Sequence, residues 1–260
     1  MAESSLSIGF VDLEKEVGSF LGYGRTPDNW SAAQETDIDA AVQSGVRQVY
    51  YPPAVDKSTI GYEWSWLRPG FTFDIEDGEG DYDLPDDFGR LIGSLYYSAN
   101  EYRSSITIVS IGRILALRAS TGLTGAPYYA ATRYKTSDGS DGQRQEILFY
   151  PEPDSDWTLY GSYEAYSGAL SDSYPYPLGG MQLAELYIES CLAIAEQRFN
   201  DEIGIHNQKF SALLVDAVAR DSKRGARFYG PMGHIETTSI EFRRGWTGSE
   251  YPIVYKDVTY

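Results

Sequence analysis

The sequence predicts an α+β fold: a helical bundle from an N-terminal helix pair and a long C-terminal helix, with an inserted antiparallel β-rich domain and an extended C-terminal arm. Three observations predict it. Apolar residues recur at helical spacing near both ends of the 260-residue chain. Between about residues 60 and 178 the period drops to two. Past residue 223 no helical period remains. The expected segments are 1–58, 59–178, 179–222 and 223–260.

Phe10, Leu13, Val17, Phe20 and Leu21 give the first helix its apolar face, and Gly22 and Gly24 stop it. Ser31 and Gln34 form a capping-box pattern. Ile38, Ala41, Val42, Gly45, Val46 and Val49 then share one face of a second helix, which Pro52 and Pro53 close. The runs EWSWL, FTFDI, ITIVSI, ILALRAS, APYYAATRY, EILFYPEP and WTLYGSYEAY are rich in β-branched and aromatic residues and read as short strands. KTSDGSDGQ, residues 135 to 143, reads as a polar hairpin tip. After YPYPLGG the helical period returns. Leu183, Leu186, Tyr187, Ile194 and Ala195 precede Phe210, Leu213, Leu214, Ala217 and Val218, as one long helix or as two broken near Gly204.

Composition narrows the function. A single cysteine, Cys191, allows no internal disulfide, and with His206 and His234 it makes a poor zinc set. No apolar run approaches the ~20 residues that span a bilayer, and the opening MAESSLSIGF lacks the basic and apolar regions of a signal peptide. Acids outnumber bases 38 to 21, for a net charge of −17. Such a chain repels a polyanion, since phosphate binding needs clustered Lys and Arg. The charge is uneven: the stretch from 223 onward holds six bases against four acids. A neutral-to-basic aromatic tail on an acidic body suggests an arm that leaves its own domain to contact a partner.

The densest acidic segment is FDIEDGEGDYDLPDDF, residues 73 to 88, with eight carboxylates and no Lys or Arg. As an EF-hand loop from Asp74 it fails, because Gly78 stands at the fifth position and Pro85 at the twelfth. As a catalytic pair it needs one carboxylate with a raised pKa in a cleft, whereas closely spaced charges between two strands form a solvated loop. The expectation is an exposed acidic surface made by Asp74, Glu76, Asp77, Glu79, Asp81 and Asp83, its end anchored by Leu84, Pro85 and Phe88. GxSxG, HExxH, GxxxxGK[ST] and GxGxxG are all absent. His206 and His234 read as structural or exposed, and Cys191 as packed. No catalytic residue, cofactor or metal is expected. Tyr50-Tyr51, Trp64-Ser-Trp66, Tyr96-Tyr97 and Tyr128-Tyr129 place aromatic residues on both faces of strands. Tyr and Trp are enriched at protein interfaces, so Trp64, Trp66, Tyr96 and Tyr128 are the candidate subunit-interface residues.

The order of elements, with SGVRQVYYPP, YEWSWLRPGFTFDI, LPDDFGRL, YPEP and YPYPLGG, resembles the head–tail connector (adaptor) proteins of tailed bacteriophages, including the tail tubular protein A type. The likeness covers roughly residues 6 to 222. It implies a non-enzymatic virion protein, made in the bacterial host cytoplasm and located in the neck. Its copies would form a ring, usually of twelve subunits, beneath the capsid portal, contacting a tail-side protein and continuing a channel through which DNA passes unbound. No membrane partner is expected. The C-terminal arm, with Phe228, Tyr229, Phe242, Arg243, Arg244, Trp246 and Tyr251, would dock on the portal. The alternative is a carbohydrate-binding or glycan-degrading tail-fibre-type protein, which the helices at both ends of the chain disfavour.

Overall fold

The computed structural model describes residues 4–137, 139, 142–224, 254–255 and 258–259. The chain divides into two compact units, 1–222 and 223–260. Within the second, a strand over Val254–Tyr255 pairs antiparallel with one over Val258–Thr259. The first unit is α+β and holds two main apolar cores, one helical and one between sheets, and a smaller third cluster.

The helical core is built by α1 (Phe10–Phe20), α2 (Ala32–Tyr50), α4 (Ala184–Phe199) and α5 (Ile205–Arg224). Leu13 and Val17, then Ile38, Ala41, Val42, Val46 and Val49, are buried along the faces that their spacing predicts. Leu186, Tyr187, Cys191 and Ala195 of α4 and Phe210, Leu214, Ala217 and Val218 of α5 complete this core. The start of α2 carries a full capping box. Gln34 Oε1 accepts the Ser31 N–H at 2.8 Å and Ser31 Oγ accepts the Gln34 N–H at 3.4 Å. At Gly45, α2 and α4 meet so closely that an added Cβ would lie 2.7 Å from the Cα of Cys191. α1 ends where Gly22 adopts φ +79°, a conformation that costs glycine little.

The C-terminal apolar period is two helices, not one. α4 ends at Phe199, Asp201 takes φ +53°, and α5 begins at Ile205. Gly204 sits against the Glu196 carboxylate, where a side chain would collide.

Residues 70 to 165 form two sheets. In the first, β1 (Gly70–Ile75) and β3 (Phe88–Tyr97) flank β7 (Trp157–Ala165), all antiparallel. In the second, the order is β2 (Asp81–Asp83), β6 (Gln145–Tyr150), β5 (Tyr129–Tyr134), β4 (Thr107–Ile108). Ile75, Leu95, Ile106, Ile147, Phe149 and Leu159 are all but inaccessible in the core between them. β5 and β6 form the expected hairpin around 135–143, with Lys135 N–H donating to Arg144 O.

Three strand expectations are corrected. The ILALRAS run belongs to a helix, α3 (Ile111–Ser120), which lays Ile114 on the second sheet against Ala131, Leu148 and Tyr150. Leu, Ala and Arg are strong helix formers, and Ile111, Ile114 and Leu117 recur at the helical period. EWSWL forms a single 3-10 turn over Ser65–Leu67, because the Trp64 indole turns back to donate to Val49 O at 2.7 Å. The second sheet is mixed, since β4 runs parallel to β5.

Candidate functional site

The acidic segment 74–87 follows β1, makes a tight turn, runs through β2 and returns into β3. Gly78, at φ +78°, allows the turn, and its N–H donates to Pro153 O. Tyr82 organises it: its hydroxyl accepts the Glu76 N–H at 2.7 Å and donates to the carbonyl of Glu79 at 2.8 Å. Burial pushes the Tyr82 phenol pKa up; the hydrogen bond from the Glu76 N–H opposes this, and the carboxylates of Glu79, Glu76 and Asp156 reinforce it. Leu84 and Phe88 are buried, as expected of anchors, whereas Pro85 is exposed and contributes only its carbonyl, which accepts the Phe88 N–H.

The segment has no base in sequence but several in space. Arg118 of α3 lies 2.6 Å from Asp81 Oδ1 and donates to the carbonyls of Gly80 and Phe149. Arg133 of β5 approaches Asp81 at 3.7 Å, Lys135 meets Asp83 at 2.6 Å, and Arg144 meets Asp86 at 3.2 Å. The expected exposed acidic surface is partly neutralised: α3 and the β5–β6 hairpin bring cations onto Asp81, Asp83 and Asp86. Asp74 accepts from the Thr158 hydroxyl at 2.6 Å, and Asp87 from the Tyr163 hydroxyl at 3.0 Å. Burial, and then Asp87, lift the Tyr163 phenol to about 12. Glu76, Asp77 and Glu79 form no salt bridge among the described residues. Asp77 and Glu79 line an open cleft of about 560 Å3 together with Asp81, Arg118 and Glu152. Among the described residues no His, Cys, Asp and Glu cluster has the arrangement of a metal site.

The aromatic candidates separate. Trp64 is 1% exposed and sits in the helical core, so as an interface residue it is corrected. Trp66 stacks on Trp64 at 5.3 Å and is half-buried. Tyr96 and Tyr128 are exposed, at 58% and 41%. Tyr160 stands opposite Tyr96 across β3 and β7 and is also exposed. The alternation in WTLYGSYEA, with Trp157 and Leu159 inward, is the signal that places it outward. The arm residues Phe228, Tyr229, Phe242, Arg243, Arg244, Trp246 and Tyr251, and His234, lie outside the described residues.

Two buried polar clusters hold the helices. Asp221, near the end of α5, accepts from the Tyr62 hydroxyl at 2.8 Å, the Ser65 N–H at 2.9 Å and the Ser65 hydroxyl at 2.5 Å. Glu189 of α4 meets His206 Nδ1 at 2.7 Å and Lys209 Nζ at 3.1 Å, both on α5. His206 is thus a structural residue of the helix junction. Cys191 is fully buried, and burial lifts its thiol pKa to about 12.

Comparison with known proteins gives the class first: this is an adaptor protein of a phage, a structural component of the virion. Residues 10–233 match the family model described as SU10 adaptor protein, and the chain belongs to that family. The match runs past Ser222 into the second unit. No curated protein matches the chain.

Proposed function

We propose that the protein is a non-catalytic neck component that forms a ring between the capsid portal and the tail and continues the DNA channel. The observation that carries this reading is the family match over residues 10–233. Copy number follows the resemblance, at twelve. Electrostatics support the channel: with 38 acids against 21 bases, the ring presents DNA with a surface to which phosphates do not adhere. Because Asp81, Asp83 and Asp86 are paired, the charge available to that role in the 74–87 segment is that of Asp74, Glu76, Asp77, Glu79 and Asp87. Exposed Tyr96 and Tyr128, with Trp66 at the margin, serve subunit contacts. The aromatic, net-basic arm, with Phe228, Tyr229, Phe242, Arg243, Arg244, Trp246 and Tyr251, docks on the portal.

An amber mutation early in the gene tests the proposal. In a non-suppressing host, DNA-packaged heads and separate tails should accumulate unjoined, and supplying the protein should join them. Infectious, normally tailed particles from that host would overturn it.

A further inference from the structure

α3 has an outer face that nothing in the first unit covers. Its inner side is used up on the second sheet by Ile114, with Ile111 and Leu117 half-buried. On the other side Gly112, Leu115, Ala116 and Ala119 are exposed, Leu115 at 47%. α1, α2, α4 and α5 each carry acids, whereas the sequence of α3, IGRILALRAS, has none. Its two charges are both positive. Arg118 is spent on Asp81, but Arg113 forms no salt bridge among the described residues. Arg113 stands 4.9 Å over the Tyr129 ring, and that ring meets exposed Tyr128 at 4.8 Å. The result is one surface: an exposed leucine among small apolar residues, an arginine without a carboxylate, and a tyrosine.

We infer that this α3 face is the contact that one copy makes with an acid-bearing face of a second copy. The inference rests on the reading of the protein as a ring-forming adaptor and goes beyond it by naming the surface and its polarity. Charge decides the occupant. Copies with a net charge of −17 repel one another, so contact favours a patch that lacks acids and brings a cation. Charge also decides the geometry. If α3 met α3 about a two-fold axis, Arg113 would approach its own kind. The contact is therefore head-to-tail, the kind that closes into rings. The partner copy has counter-charge to offer: Glu14, Glu35, Asp39 and Asp172 line an open groove of about 600 Å3, and none forms a salt bridge among the described residues.

The test places a photo-crosslinker on the face. Full-length protein carrying Leu115→p-benzoylphenylalanine is supplied to the amber phage, and purified particles are irradiated. An adduct at twice the 29.0 kDa chain mass, containing only this protein's peptides, is expected. An adduct to a different virion protein, or none from particles that contain the chain, would overturn the inference while leaving the adaptor reading in place. Absence of the wild-type chain from particles complemented in the same way would overturn both. In parallel, Arg113→Glu should cut the copies per particle about ten-fold or more, and Arg113→Lys should largely restore them. Equal incorporation of Arg113→Glu and wild type would count against the charge argument.

Discussion

Asp221 is 6% exposed and is held by three neutral donors instead of a cation. Replacing it with alanine leaves the Tyr62 hydroxyl and the Ser65 N–H without their acceptor, and a buried donor left unpaired costs about 1–3 kcal/mol. Asp221→Ala should lower the urea unfolding free energy by that amount, and an unchanged midpoint would show the cluster to be energetically idle. Glu14 has the opposite character. Burial, then Asp39, Asp172 and Glu35, raise its pKa, so the folded chain binds that proton more tightly than the unfolded chain. The stability it contributes is present at acid pH and is lost as pH rises through the folded pKa. Glu14→Gln should therefore raise the melting temperature at pH 7, with the gain vanishing below the ordinary Glu pKa of 4.5. The same sign holds at the alkaline end. Cys191, at about 12, and Tyr187, well above 10, ionise more readily when unfolded. Stability should hold to about pH 9 and fall towards pH 12, and a flat melting-temperature profile across that window would refute the burial of these groups. The packing of Cys191 and Tyr187 was legible in sequence, whereas the surroundings of Asp221 and Glu14 were not. Asp221 and Glu14 look like surface acids of amphipathic helices, and only the returning 62–65 loop and the 170–172 loop reveal their surroundings.

At the scale of elements, sequence legibility followed amphipathic contrast. α1, α2 and α5 each bury one stripe, so their period identified their buried residues. α3 misled because its exposed side is apolar too, leaving ILALRAS without the polar face that marks a helix. The α4–α5 break was ambiguous because both helices turn an apolar stripe to the same core. β4, only two residues long, carries no period at all. Cations reached the acidic turn by β5–β6 pairing and by the docking of α3, neither of which a local pattern encodes. Two substitutions test the packing. Gly→Ala inside a helix ordinarily gains about 1 kcal/mol. Gly45→Ala should instead destabilise, by about 1–3 kcal/mol, because the new methyl meets the Cys191 backbone, which cannot rotate away. Ser31→Ala should cost about 1 kcal/mol by opening the capping box. Chemical denaturation of both variants checks the signs, and a stabilised Gly45→Ala would mean that α2 and α4 are further apart than described.

For the whole molecule, the order of elements conveyed more than any single motif. A helical pair, an acidic turn before LPDDF, a β-rich middle and a helical return carried the resemblance to phage connectors, and the family match bears it out over residues 10–233. The rival glycan-binding reading drew on the aromatic excess. Part of that excess is accounted for inside the subunit: Trp64, Tyr187, Tyr50 and Tyr163 pack in the two cores. Part of it remains outside, Tyr96, Tyr128 and Tyr160 among the exposed tyrosines, and suits the proposed assembly, whose subunits repel through their net charge. The central claim is that this chain joins head to tail, and immunogold electron microscopy of purified particles, with antibody raised to the full-length protein, tests it most directly. Gold should concentrate at the neck, between capsid and tail. Label on the fibres, or none on either intact or disrupted virions, would contradict it.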